Sequence, residues 1–312
     1  MRAVVLRAFG PPANLVPEDV ADPQPGAGEV LVDVHAASIT FVETQIRAGR
    51  PPHAHMAPAL PAILGNGVGG VIAATGAGVD PALRGRRVVT TTGATGGYAE
   101  RVVVDASLPI DVPDGLVLPD AVALLADGRT ALSLVEAAAP RAGETVLVEA
   151  AAGGVGGLLV QLARHRGARV VAAAGGERKL AHARVLGADV ALDYTRPGWA
   201  SGAGDLDVVF DGVGGEIAAA AFARLRPGGR FVAFGMASGG FVGTQVRTDV
   251  TIVRGVPLTP ERSRALSAEA LAQASAVRLV ATIGQTFALH DAAAAHAAIE
   301  ARTTIGKTLL LA

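Results

Sequence analysis

The sequence predicts an α/β chain in two parts, a β-rich part and a doubly wound parallel sheet, and three observations carry that expectation. The first third alternates short apolar strands with turns, an all-β pattern. From about Asp120 the strands alternate with helix-length segments, as βαβ units and a parallel sheet require. Within that stretch a glycine-rich turn joins a buried strand to a helix.

In the first third the strands are expected at Ala3 to Arg7, Val30 to His35, Gly70 to Ala74, Arg87 to Thr91 and Tyr98 to Val104, with Pro23 to Gly26 as a breaker between two of them. Further on, Glu144 to Ala150 reads as a buried strand, Gly157 to Arg166 as a helix stopped by Gly167, and Arg169 to Ala174 as the next strand. Arg178 to Leu186 forms a helix stopped by Gly187, followed by strands at Val190 to Leu192, Asp207 to Phe210 and Arg230 to Phe234. The last of these is entered through the turn Pro227-Gly228-Gly229. Near Thr259 the alternation ends; helices over Ala265 to Val280 and Asp291 to Ala301 precede a terminal strand at Thr308 to Leu311.

Composition narrows the function. The 312 residues suggest two domains, and 27 basic against 28 acidic side chains leave a net charge of −1. Near-neutrality gives no electrostatic reason for nucleic acid or an anionic membrane as the main partner, and there is no basic stripe interleaved with aromatics. Absence of cysteine removes disulfides, thiolate nucleophiles, iron–sulfur clusters and every zinc site needing a cysteine ligand. Gly, Pro or a charge interrupts each apolar run, and the N-terminus lacks a secretory core, so the expected location is the cytoplasm. Of the basic residues only Lys179 and Lys307 are lysines.

After the strand at Thr145 to Val148 comes Ala150-Ala151-Ala152-Gly153-Gly154-Val155-Gly156-Gly157 and then a helix. Backbone amides at a helix N-terminus point at an incoming anion, and missing β-carbons let a diphosphate approach the chain. The bland alternative is a tight strand-to-helix connection; the strand before and the helix after favour a dinucleotide. Strict G-x-G-x-x-G spacing fails, since Leu159 stands where a third glycine would follow Gly154 and Gly156. At the end of the second strand a carboxylate would select NAD by accepting the ribose hydroxyls. Here Ala172 to Gly176 contains no acid, and Arg178 and Lys179 follow, so NADPH is expected in preference to NADH.

These residues resemble the zinc-independent quinone oxidoreductases, the zeta-crystallin-like branch of the medium-chain dehydrogenase/reductase superfamily. The likeness rests on Val34 to Ser38, Val42 to Gly49, Gly96 to Glu100, Gly143 to Val148, Ala151 to Gly156, Pro227 to Arg230, Ala293 to His296 and Gly306-Lys307. It implies a GroES-like substrate-binding domain from both ends of the chain, 1–119 and 259–312, a Rossmann cofactor domain at 120–258, and a cleft where nicotinamide meets its acceptor. It also implies a homodimer joined through edge strands of the cofactor domains. Thr130, Gly153, Gly154, Val155, Gly156, Gly175, Lys179, Tyr194 and Gly235 fall on positions that line the dinucleotide in the family, Tyr194 near the 2′-phosphate.

The chain departs from the family on the substrate side. An active-site Asn is replaced by Thr40, a Tyr by Gln45, and an acid by Asn66; a helix that relatives carry before the fourth strand is clipped between Tyr194 and Asp205. Thr40, Gln45 and Tyr98 are the side chains expected near the acceptor, with Thr130 orienting the carboxamide end of the cofactor. Ordinary loop packing is the alternative for each. Gln45 cannot act as an acid, which leaves Tyr98 or water as proton source. Glu43 is expected to be structural, pairing with Arg47 four residues on. Phe41 and Met56 either wall an aromatic pocket or belong to the core. His53 and His55 are expected to be solvated, and His35, His290 and His296 structural.

Without a Lewis acid an alkoxide is poorly stabilised, whereas an enone or quinone delocalises the charge that hydride addition creates. NADPH-dependent reduction of quinones or α,β-unsaturated carbonyls is therefore the leading function. A dedicated double-bond reductase of a biosynthetic pathway and a non-catalytic NADPH-binding protein are the alternatives.

Overall fold

The computed structural model describes residues 1–235, 237–238, 247–254 and 257–312, and of Arg254 only the backbone. Two compact units are present, residues 1–126 with 267–312, and residues 127–266.

The first unit contains β1 (Arg2–Leu6), β2 (Leu15–Asp19), β3 (Glu29–Ile39), helix α1 (Phe41–Arg47), β4 (Ala62–Ile63), β5 (Gly67–Thr75), β6 (Arg87–Thr91), β7 (Arg101–Asp105) and β8 (Ile110–Asp111). The long helix α2 (Leu118–Ala138) leads into the second unit, which contains β9 (Thr145–Glu149), α3 (Gly154–His165), β10 (Arg169–Ala174), α4 (Glu177–Val185), β11 (Val190–Asp193), β12 (Leu206–Asp211), α5 (Gly215–Phe222), β13 (Leu225–Ala233) and β14 (Thr251–Arg254). Helix α6 (Pro260–Ser275) leads back to the first unit, which ends in β15 (Ile283–Ala288), α7 (Ala292–Glu300) and β16 (Lys307–Leu311).

In the first unit one sheet runs β15-β16-β3-β5-β6-β8 with β7 also on β3, and a smaller one runs β2-β1-β4. The terminal strand β16 pairs antiparallel with β3, Leu309 opposite Ser38, so chain ends far apart in sequence share one sheet. Val32, Val34, Val68, Val88 and Leu310 fill its core. The strand β2 and helix α1, absent from the sequence reading, use residues without strong periodicity: Leu15 is buried on β2 while its neighbours face out.

In the second unit the strand pairings among the described residues are all parallel and the order is β11-β10-β9-β12-β13-β14, the doubly wound arrangement. Val146 to Val148 and Val208 to Phe210 are fully buried, as helices on both faces require. Pro227 to Gly229, read as a turn before a strand, lie within β13, whose Gly228 has φ +78°. Between β11 and β12 only a short 3₁₀ segment, Trp199–Ala203, occurs, in keeping with the clipped connection.

The units meet the chain at 126/127 and 266/267, several residues beyond the expected 119/120 and 258/259. Pattern in the sequence changes where α2 and α6 begin. The contacts change part-way along each helix, a difference no local signal carries.

Candidate functional site

In the second unit β9 delivers the chain to the turn Ala150 to Gly153, and α3 starts at Gly154, three residues before the expected Gly157. Ala150 adopts φ +48°, a conformation few L residues take. Gly153 is the N-cap of α3 and brings no side chain of its own to the first-turn amides. Val155 lies on the half-buried first turn, while Gly156 is buried. A Cβ on Gly156 would run into the carbonyl of Ala150, and one on Gly154 into the carboxylate of Asp127. These positions require glycine for the chain to pass so close to itself, and the resulting bare turn fits a diphosphate.

Asp127 was not foreseen. Its buried carboxylate stands beside the positive end of α3, where a negative charge is favoured. Two residues on, Arg129 carries the nearby opposite charge.

At the ends of β10 and β11 Ala174 stands opposite Asp193. Gly175 follows, and a Cβ there would lie 3.3 Å from Cε2 of the Tyr194 ring, which packs edge-on to Trp199 at 6.4 Å. Gly176, with φ +84°, is the N-cap of α4, and the half-buried Lys179 sits in that helix's first turn. Asp193 is an acid beside this corner that the sequence reading passed over. Hydrogen bonds from Thr195 Oγ1 at 2.6 Å and Thr195 N at 3.0 Å, with one from Gly176 N, hold its carboxyl below the usual range. Serving those donors, it closes the β11 turn.

Thr130 lines a cavity of about 310 Å³ together with Arg129, Ser133, Phe234, Leu258 and Ser263. Gly235 follows Phe234 at the end of β13, its backbone against Gly212 so closely that a Cβ would lie 2.5 Å from the Gly212 carbonyl oxygen.

Beneath the turn, Glu149 ends β9 and Asp211 ends β12, both fully buried. Oδ1 of Asp211 accepts from Val213 N at 2.9 Å and Gly214 N at 2.7 Å. Oδ2 and both Glu149 oxygens lack a partner at hydrogen-bond distance among the described residues. Burial first, then the charge of Asp211, pushes the Glu149 carboxyl well above its ordinary value. An acid closing a run of four buried apolar or β-branched residues was the signal available in the sequence.

The three residues expected near the acceptor lie in the first unit. Thr40 is the N-cap of α1: its backbone N–H donates to Glu43 Oε2 at 2.5 Å and its Oγ1 at 3.1 Å, while Glu43 N donates back to Thr40 Oγ1 at 3.4 Å. This capping box commits the Thr40 side chain to helix initiation. Glu43 also accepts from Asn66 N at 2.8 Å, and burial raises its pKa against the opposing pull of those donors and of Lys307. The expected Glu43–Arg47 pair is corrected: the Glu43 carboxylate is taken by the Thr40 and Asn66 amides, and the buried Arg47 bonds Glu300 and the Gly10 carbonyl instead. Gln45 is half-buried, donating from Nε2 to Thr44 Oγ1 at 3.1 Å.

Tyr98 is corrected as a proton source. It is fully buried, packed against Gly65, with its hydroxyl 3.1 Å from His296 Nε2. Burial first, then the charge of Glu43, pushes its pKa well above 10. His53 and His55 are exposed and stack at 5.5 Å. Phe41 lies under the Arg302 guanidinium at 4.6 Å, so its ring belongs to a cation–π pair. Among the described residues no three His, Cys, Asp or Glu gather as a metal group, and no helix is long and apolar enough to cross a membrane.

Fold and site together define a two-unit, dinucleotide-binding oxidoreductase architecture, and comparison with known proteins agrees. Residues 26–114 match the alcohol dehydrogenase GroES-like domain family and residues 154–260 the zinc-binding dehydrogenase family. A quinone oxidoreductase of Pseudomonas aeruginosa is 32% identical over 326 residues, covering 99% of both chains. A 2-haloacrylate reductase of a Burkholderia species is 32% identical, over 99% of this chain and 98% of that one. A mycobacterial protein solved in complex with NADPH superposes with a TM-score of 0.87 at 34% identity, over the whole of both chains. The chain belongs to the zinc-independent quinone oxidoreductase branch of the medium-chain dehydrogenase/reductase superfamily.

Proposed function

We infer that this protein is an NADPH-dependent oxidoreductase that reduces quinones or α,β-unsaturated carbonyl compounds. The carrying observation is the bare turn from Ala150 to Gly156 at the N-terminus of α3, which accepts a diphosphate only because no β-carbon stands in the way. When bound there, NADPH supplies the hydride. Gly153, Gly154, Val155 and Gly156 take the diphosphate; Gly175, Lys179 and Tyr194 take the 2′-phosphate end; Thr130 and Gly235 take the nicotinamide end. The cationic amine of Lys179 suits a phosphate dianion, and the absence of a free acid at Gly175 leaves room for it.

On the acceptor side Gln45 keeps the role of a neutral hydrogen-bond donor, and Thr40 acts through α1, whose start its capping box fixes. With Tyr98 sealed in the core, water protonates the product. Among the described residues β14 is the last strand of its sheet, which supports the expectation of a homodimer through edge strands of the cofactor units. The Burkholderia relative supports the second reading, a reductase dedicated to a particular carbon–carbon double bond.

The test is direct: purified protein with NADPH and a panel of benzoquinones and enones, followed by loss of reduced-nicotinamide absorbance. Turnover on part of the panel is the expected result. Tight NADPH binding, seen by fluorescence, with no turnover on any acceptor would identify a non-catalytic binder instead.

A further inference from the structure

The cavity beside Thr130 holds a charge that the dinucleotide positions do not account for. Arg129 lines it half-buried, and no hydrogen bond or ion pair reaches its guanidinium among the described residues. The other half-buried guanidinium groups described in this unit are all paired: Arg224 bonds the Gly204 carbonyl, Arg230 bonds Glu144 and the Ala138 carbonyl, and Arg247 bonds Asp249. Burial lowers the pKa of Arg129, and the charge of Asp127 only partly offsets that. A half-desolvated guanidinium whose N–H donors meet no acceptor among the described residues is costly unless an anion meets it.

Hydroxyls surround it. Ser133 and Ser263 line the same cavity, on α2 and α6. Ser133 Oγ donates to the Thr130 carbonyl at 2.8 Å, fixing its position, and Ser263 N is held by the Thr259 carbonyl at 2.9 Å. Phe234 and Leu258 supply apolar wall. One forked cation, the Ser263 hydroxyl and an apolar side make a receptor for a small planar anion attached to carbon, while Ser133, its proton given to the Thr130 carbonyl, only shapes the wall.

We propose that Arg129, with Ser263, binds the carboxylate of an α,β-unsaturated carboxylic acid, making an anionic acceptor a substrate class of this protein. The proposal rests on the reductase reading above and names its substrate. A free carboxylate normally makes a double bond resistant to hydride, because the electron pair pushed toward it adds to existing negative charge. Bidentate contact with a guanidinium offsets that charge as it develops. In the balanced step the hydride from NADPH forms a new C–H bond at the β-carbon. The π pair of the C=C bond moves to the α-carbon and carboxylate, and a proton from water closes the α-carbon. The products are the saturated carboxylate and NADP⁺.

The test uses wild-type protein, Arg129→Leu and Arg129→Lys, each checked by its unfolding midpoint. Without turnover, butyrate and butyramide are titrated calorimetrically into NADP⁺-saturated protein. With turnover, kcat/KM is measured for crotonate and methyl crotonate with NADPH. Wild type is expected to bind butyrate about tenfold or more tighter than butyramide, Arg129→Leu to lose that preference, and Arg129→Lys to recover part of it. The crotonate to methyl crotonate ratio is expected to fall about tenfold in Arg129→Leu. No preference for butyrate in the wild type overturns the proposal. So does a loss of NADPH affinity in Arg129→Leu as large as the loss of butyrate, which would assign the guanidinium to a cofactor phosphate. If butyrate binding depends on Arg129 while wild type reduces neither crotonate nor any quinone, the anion site stands and the reductase reading falls.

Discussion

The hydroxyl of Tyr98 lies 3.1 Å from Nε2 of His296, joining segments 198 residues apart inside one buried core. Burial, and secondarily the charge of Arg47, lowers the His296 pKa from 6.5 to about 3. A base with a depressed folded pKa contributes stability that is complete above its unfolded value and is lost as pH falls toward the folded one. From about pH 7 to about pH 5 the loss at this site is about 2 kcal/mol. Glu43 works in the opposite sense, since its raised pKa favours the fold at acid pH. Urea unfolding should therefore show a steeper stability loss on acidification for wild type than for His296→Gln. Equal slopes would place the titration elsewhere.

Glu149 gives a second pH signature. Its folded pKa is raised well above 4.5, so its contribution is complete below that value and declines as pH rises. Replacement by the neutral isostere, Glu149→Gln, should raise the unfolding midpoint at about pH 8 and bring little gain at about pH 5. A gain that is the same at both values would show that charge is not involved.

Gly156 cannot carry a side chain without displacing the Ala150 carbonyl, which is backbone and has little freedom to move. Gly156→Ala is expected to cost about 1–3 kcal/mol and to weaken NADPH binding along with it, because the same turn shapes both. Thermal unfolding and cofactor fluorescence together check this; unchanged affinity in a destabilised variant would separate the turn from the diphosphate.

Lys179 stands in the first turn of α4, close to Gly175 and Tyr194 in sequence and strand register. Lys179→Ala should weaken NADPH by about tenfold or more while changing NADH little, since only the former has the 2′-phosphate. Losses of equal size would give this amine another task.

How much of the molecule was legible follows from which interactions are local. Strand and helix periodicity marked β9, α3, β10 and α4 to within a few residues, because each buries a face dictated by its own spacing. The glycines at 153, 154 and 156 were readable for the same reason: a strand, a bare turn and a helix lie in one continuous segment. The capping box was visible in type as Thr40 and Glu43 three residues apart, yet Glu43 was given to Arg47, since both pairings satisfy helical spacing.

Sequence by itself determined the two-part α/β plan, the glycine-rich turn between β9 and α3 and the lack of any thiol chemistry, for these depend on neighbours along the chain or on composition. Tertiary structure alone decided that Tyr98 is sealed against His296, that Asp127 stands beside α3, that Glu149 and Asp211 share one buried end of the sheet, and that Arg129 faces a cavity with Ser263. Each of these unites residues from separate elements, and burial and charge at such points are set by what packs there, which no local spacing encodes.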